Sequence, residues 1–142
     1  MPVGAMAGTM PQQTTPNGNT PTLLTRTFDR SKRVIAYSYN DGRQFELTNK
    51  VRFTFTWSVA HGWQCTNIAD TGSYYFIWNP LAWTFDGSTN TNTGIGTTVG
   101  SHRVDASFWD WRWHVHGYEW IKITCDYQGS TSYSYDYFAD LP

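Results

Sequence analysis

From Arg26 onward apolar residues recur at every second position and nowhere keep a helical spacing for more than a turn, the signature of strands with one buried face. The clearest run sets Val51, Phe53, Phe55, Trp57 and Val59 on one side and Arg52, Thr54, Thr56 and Ser58 on the other, which predicts a half-buried antiparallel strand. Upstream, Ile35, Tyr37 and Tyr39 alternate with smaller residues, Asn40, Asp41 and Gly42 signal a turn, and Phe45 and Leu47 follow. This is a hairpin pattern. A three-residue Asn40–Gly42 loop pairs Tyr37 with Phe45 and Ile35 with Leu47, whereas a two-residue loop sets Tyr37 against Glu46, so only the longer loop keeps one face apolar. It also puts Gly42 at the left-handed position of a G1 bulge, where glycine carries no steric penalty.

Further strands are predicted at Tyr74–Trp78, closed by Asn79–Pro80, at Leu81–Phe85, closed by Asp86–Gly87, and at Tyr133–Phe138. The polar run from Gly87 to Gly100 reads as a surface loop. In the segment Phe108–Tyr127 the odd positions carry Trp109, Trp111, Trp113, Val115, Ile121, Ile123 and Cys125, an apolar strand face that also takes in Glu119. On the even side Asp110, Arg112, His114 and His116 stand in line, about 7 Å apart if the strand is continuous. Short strands with frequent turn signals and no helix predict an all-β fold: one antiparallel β-sandwich or jelly-roll-like domain over residues 26–142.

Residues 1–25 break the pattern. They hold no Asp, Glu, Lys, Arg or His, and prolines at positions 2, 11, 16 and 21 exclude a helix, so an extended low-complexity arm is expected. Docked in a groove of its own domain or of a neighbouring copy, the arm would use Leu23 and Leu24 as anchors.

Composition sharpens the reading. The 142 residues suit a single core, and 18% aromatic against 15% charged residues excludes disorder and a coiled coil. A net charge of −1 gives no electrostatic basis for binding nucleic acid. Only Arg26, Arg30, Lys32 and Arg33 cluster, and they stand beside Asp29. No apolar run approaches the ~20 residues of a membrane-spanning helix, so no membrane insertion is expected. Nor does a Lys/Arg-flanked apolar segment stand near Met1, and the expected setting is a virion or other extracellular assembly, otherwise a secreted module.

No Gly-x-Ser-x-Gly, Walker loop or dinucleotide fingerprint is present, so neither a catalytic constellation nor a nucleotide cofactor is expected. His114 and His116 could share a metal, but Glu119 has the wrong parity to be their third ligand, and no metal is assigned. Cys65 and Cys125 form a disulfide or remain two small core residues. Eight tryptophans are more than one small core usually takes, and a buried indole N–H needs a partner, so some belong at a surface. Trp63, Trp83 and Trp120, with Asp110, Arg112, His114 and His116, are the candidate binding residues. Tyr133, Tyr135 and Tyr137 mark an edge strand with one adhesive face. The expected function is a non-catalytic structural subunit assembling with copies of itself as part of a virion, capsid, appendage or filament. The alternative is a carbohydrate-binding module that stacks sugars on surface Trp and Tyr.

Overall fold

The computed structural model describes residues 4–5 and 24–139, which form two antiparallel sheets and no helix. The strands are β1 (Gly4–Ala5), β2 (Leu24–Ser38), β3 (Gly42–Ser58), β4 (Gly62–Asp70), β5 (Tyr74–Ile77), β6 (Trp83–Thr93), β7 (Val99–Asp110), β8 (Val115–Asp126) and β9 (Thr131–Phe138). In the first sheet the long strand β3 has β2 on one side, while β4 and β5 lie end to end along its other side. Val51 pairs with Asp70 and Thr48 with Tyr74, so β4 and β5 are one strand interrupted at residues 71–73. Asp70 makes the interruption by accepting the N–H groups of Gly72 and Ser73, each at 2.9 Å. Gly4–Ala5 adds to the outer edge of β5, and most of the expected arm, including Leu23, lies outside the described residues. Leu24 opens β2 and is exposed, so it anchors nothing among the described residues.

The second sheet is a β6-β7-β8-β9 meander. Apart from β1, which lies beside β5, neighbouring strands in both sheets are adjacent in sequence, with β4 and β5 counting as one. The inward residues of β3, namely Phe45, Leu47, Val51, Phe53 and Phe55, share one core with Val104 and Phe108 of β7 and Ile121 and Ile123 of β8. Phe45 stacks on Phe108 with ring centroids 3.9 Å apart.

The hairpin register departs from the expected one. Gly42 has φ +74, as the turn requires, but Ala36 rather than Tyr37 faces Phe45, and Val34 rather than Ile35 faces Leu47. A bulge between Ala36 and Tyr37 shifts the parity, so the small residues Val34 and Ala36 go inward and half-exposed Tyr37 goes out. The gain is in packing, because small side chains on β2 leave room for the phenylalanines of β3. Val59 likewise falls in the turn beyond β3 and is exposed, not part of the buried face. Of the Gly87–Gly100 run only residues 94–98 are a loop, since β6 continues to Thr93 with its threonines alternating outward and β7 begins at Val99. Thr is well suited to a pleated, half-buried surface, and that preference outweighed the run's polarity.

Candidate functional site

Strand parity splits the four-stranded sheet into a core face and an open face. On β8 the odd residues Gly117, Glu119, Ile121, Ile123 and Cys125 are buried, so His116, Tyr118, Trp120 and Lys122 point outward. On β7 the outward residues are Arg103, Asp105, Ser107 and Trp109. The register lays them in rows: Trp109 beside His116, then Ser107, Tyr118 and Phe138, then Asp105, Trp120 and Asp136, then Arg103 and Lys122.

Rings pack within the rows, and the rows follow one another across the face as a band. Trp109 packs on His116 at 4.7 Å and stacks on His114 at 5.8 Å, and Tyr118 stacks on Phe138 at 6.2 Å. The Arg103 guanidinium lies 4.1 Å from the Trp120 ring. Asp105 grips that guanidinium through two hydrogen bonds of 2.9 and 2.8 Å and holds it charged, above its ordinary range. His116 Nδ1 stands 3.8 Å from Asp86 Oδ2, on a bulge of β6. The face is thus aromatic and hydrogen-bonding, with its charges largely matched inside it.

The band runs into the β7–β8 turn. β7 ends at Asp110, so the expected stripe of Asp110, Arg112, His114 and His116 does not exist as a strand face. Buried Asp110 instead caps the turn, accepting the N–H groups of Arg112 at 2.8 Å and Trp113 at 3.0 Å. The Trp111 N–H is held by the Ala82 carbonyl at 3.1 Å, and His114 closes the turn in the left-handed region at φ 55. Trp111 and Trp113, expected on an apolar strand face with Trp109, therefore project from the tip, 52% and 54% exposed. By parity a longer β7 would have kept Trp111 and Trp113 on the open face with Trp109, and the turn instead carries them to the tip.

Of the residues predicted for binding, Trp120, Arg112, His114 and His116 come together on this face or at its tip. Trp83 does not. It is 1% exposed, packs edge-on against Phe45 and donates its indole N–H to Gln44 Oε1 at 2.9 Å, so it belongs to the core. Trp63 sits at the opposite end of the sandwich, stacked on Tyr127 and covered by Arg26, whose guanidinium is 4.3 Å from the ring. Sequence reasoning missed Trp109, Tyr118, Phe138, Trp111 and Trp113. The usable signal was the shared parity of His116, Tyr118 and Trp120.

Other chemistries have less to build on. Cys65 and Cys125 are free thiols, both buried rather than bridged. Burial pushes the Cys65 thiol up to about 12 and also raises Cys125, so neither is a thiolate nucleophile at neutral pH. His114 and His116 do not meet Glu119, which lies in the core, and among the described residues no group of three or more His, Cys, Asp or Glu could hold a metal ion. A buried Ser73, Asp70 and His102 do meet, but Ser73 donates to Asp70 and not to the imidazole. His102 turns its Nδ1 to Asn49 Oδ1 at 2.8 Å, and the Asn49 amide donates to the carbonyls of His102 and Ile121. This network ties the two sheets together and opens to no substrate. The cations expected as a basic cluster are engaged separately: Arg26 on Trp63, Arg30 on Thr131, Lys32 over Tyr133 and Arg33 on Glu46.

No protein-family model, curated protein or solved structure matches the sequence.

Proposed function

We propose that the domain is a non-catalytic carbohydrate-binding module whose ligand lies along the open face of the β6-β9 sheet. The observation that carries this reading is the band of Trp109, Tyr118, Phe138 and Trp120 in successive rows of one face, bordered by Asp105, Asp136 and Ser107. The apolar C–H face of a pyranose stacks on such rings, and its hydroxyls need donors and acceptors at the rim. Arg103 and Lys122 on the face offset Asp105 and Asp136, which leaves little net charge for an ionic ligand and favours a neutral glycan. Polysaccharides of this kind are met outside cells, the setting of a virion surface or a secreted protein.

The test is titration of the full chain with neutral oligosaccharides, followed by intrinsic tryptophan emission, with acidic oligosaccharides as the comparison. The expected result is saturable binding that Trp120→Ala or Tyr118→Ala weakens by about tenfold or more, equivalent to about 1.4 kcal/mol. A flat response across the panel, or binding that both variants leave intact, would overturn it.

A second reading, a structural subunit that assembles with copies of itself, is favoured by a separate observation. Strand β9 pairs with β8 on one side and, among the described residues, with nothing on the other.

A further inference from the structure

The free edges of the two sheets are not equivalent. β2 carries Arg26, Asp29, Arg30, Lys32 and Arg33, the kind of charge that repels an incoming strand. β4 is covered by the β6–β7 connection, because Cys65 exchanges backbone hydrogen bonds with Thr97 and Gly96 at 2.6 and 2.8 Å. β5 carries β1, and β6 is broken by the bulge at Asp86. Among the described edges, β9 has none of these devices. Its eight residues, Thr-Ser-Tyr-Ser-Tyr-Asp-Tyr-Phe, include no proline and one charge, Asp136.

The side chains of β9 add a second argument. Tyr133 and Tyr135 are inward by parity, directly beside Ile123 and Ile121, which are fully buried. Yet the two tyrosines are 43% and 50% exposed, with the Lys32 ammonium over their rings at 5.5 and 5.7 Å. Between β2 and β9 a groove of about 320 Å³ stays open, lined by Val34, Ile35, Tyr37, Tyr135 and Tyr137 among others. The core face therefore runs on past the point where the opposing sheet stops covering it.

Resting on the assembly reading, we infer that β9 pairs antiparallel with β9 of a second copy, joining two four-stranded sheets into one of eight strands. Such pairing is self-complementary about a two-fold axis, and strand parity sets like face against like face. An axis through Ser134 places Tyr133 against Tyr135 and Ser132 against Asp136. An axis through Tyr135 places Tyr133 against Tyr137 and Ser134 against Asp136. In either register each carboxylate meets a serine hydroxyl and never its own copy, and the half-exposed tyrosines cover one another. The same operation on β2 would press its cations together.

Light scattering of the full chain over a concentration series tests the inference, beside Ser134→Lys, Tyr135→Lys and a chain lacking residues 1–23. The expected result is a mass that doubles with concentration, lost in at least one of the two lysine variants and kept in the truncated chain. Ser134→Lys meets its own copy when the axis passes through Ser134 but Asp136 when it passes through Tyr135, and Tyr135→Lys meets its own copy only in the second case, so the variant whose lysines face each other should raise the dimer dissociation constant by about tenfold or more. Hydrogen exchange on the unaltered chain is an independent readout, in which outward amides of β9 gain protection as concentration rises. A monomer at every concentration would sink both the inference and the assembly reading. A dimer that survives both lysine substitutions without added β9 protection, or that disappears only on truncation, would overturn the β9 contact and leave assembly to the N-terminal segment.

Discussion

Two buried ionisable side chains set opposite limbs of the stability profile. Glu119 sits in the core with neither carboxyl oxygen hydrogen-bonded among the described residues. Burial, reinforced by the charge of Glu46, raises its pKa from 4.5 to about 10, so the folded protein holds it protonated. Unfolding at neutral pH releases that proton. Stability is therefore highest below pH 4.5 as far as this group is concerned and is lost as pH rises towards 10, by about 3 kcal/mol at pH 7. His102 works the other way: burial outweighs the nearby Asp70 and lowers its pKa from 6.5 to about 4. Below pH 6.5 the unfolded chain takes up a proton that the folded imidazole refuses, so stability falls as pH drops towards 4. Thermal melts between pH 4 and 9 should trace a dome, and Glu119→Gln should flatten its alkaline limb while leaving the acid limb in place. A variant whose alkaline slope equals that of the parent would show that Glu119 ionises in the folded state.

At the scale of single strands, the period-two pattern of Val51, Phe53 and Phe55 was enough to find β3, and the Tyr133–Phe138 alternation found the edge strand β9. What the pattern hid were places where a side chain spends its hydrogen bonds on the backbone. The Trp-x-Trp-x-Trp run reads as one continuous strand, and only the capping of Arg112 and Trp113 by Asp110 turns it into a hairpin tip. The candidate site was lost from view for the same reason, because a miscounted strand end assigns Trp111 and Trp113 to the core. Asp110→Ala removes the two hydrogen bonds by which a buried carboxylate caps the exposed turn. It should lower stability by about 1–3 kcal/mol and broaden the emission of the tip indoles, measured by urea unfolding and fluorescence. Gly117 is a second strand-level constraint, since a Cβ there would lie 2.8 Å from the Trp83 ring and 3.0 Å from the Phe138 carbonyl. Trp83 is pinned by Phe45 and Gln44 and cannot retreat. Gly117→Ala should therefore destabilise by about 1–3 kcal/mol, and an unchanged urea midpoint would mean that the ring moves aside freely.

At the scale of the whole molecule the two proposals have a joint consequence. Asp136 of β9 stands next to Trp120 in the same outward row, so pairing β9 with its copy extends that row across the two-fold axis. The aromatic bands of the two copies would then lie on one eight-stranded surface and face the same way. A short oligosaccharide can occupy only one band, and its affinity should be the same for the dimer and for whichever of Ser134→Lys and Tyr135→Lys is monomeric. A polysaccharide long enough to reach both bands gains an intramolecular second contact, and for it the dimer should bind more tightly on the order of a hundredfold. Titrating the parent and that monomeric variant with a short and a long form of the same glycan separates the terms. Loss confined to the long form supports two independent bands joined by β9. Equal loss for both forms would mean that the substitution damages the band itself, and equal affinity for the long form would place the two bands beyond each other's reach.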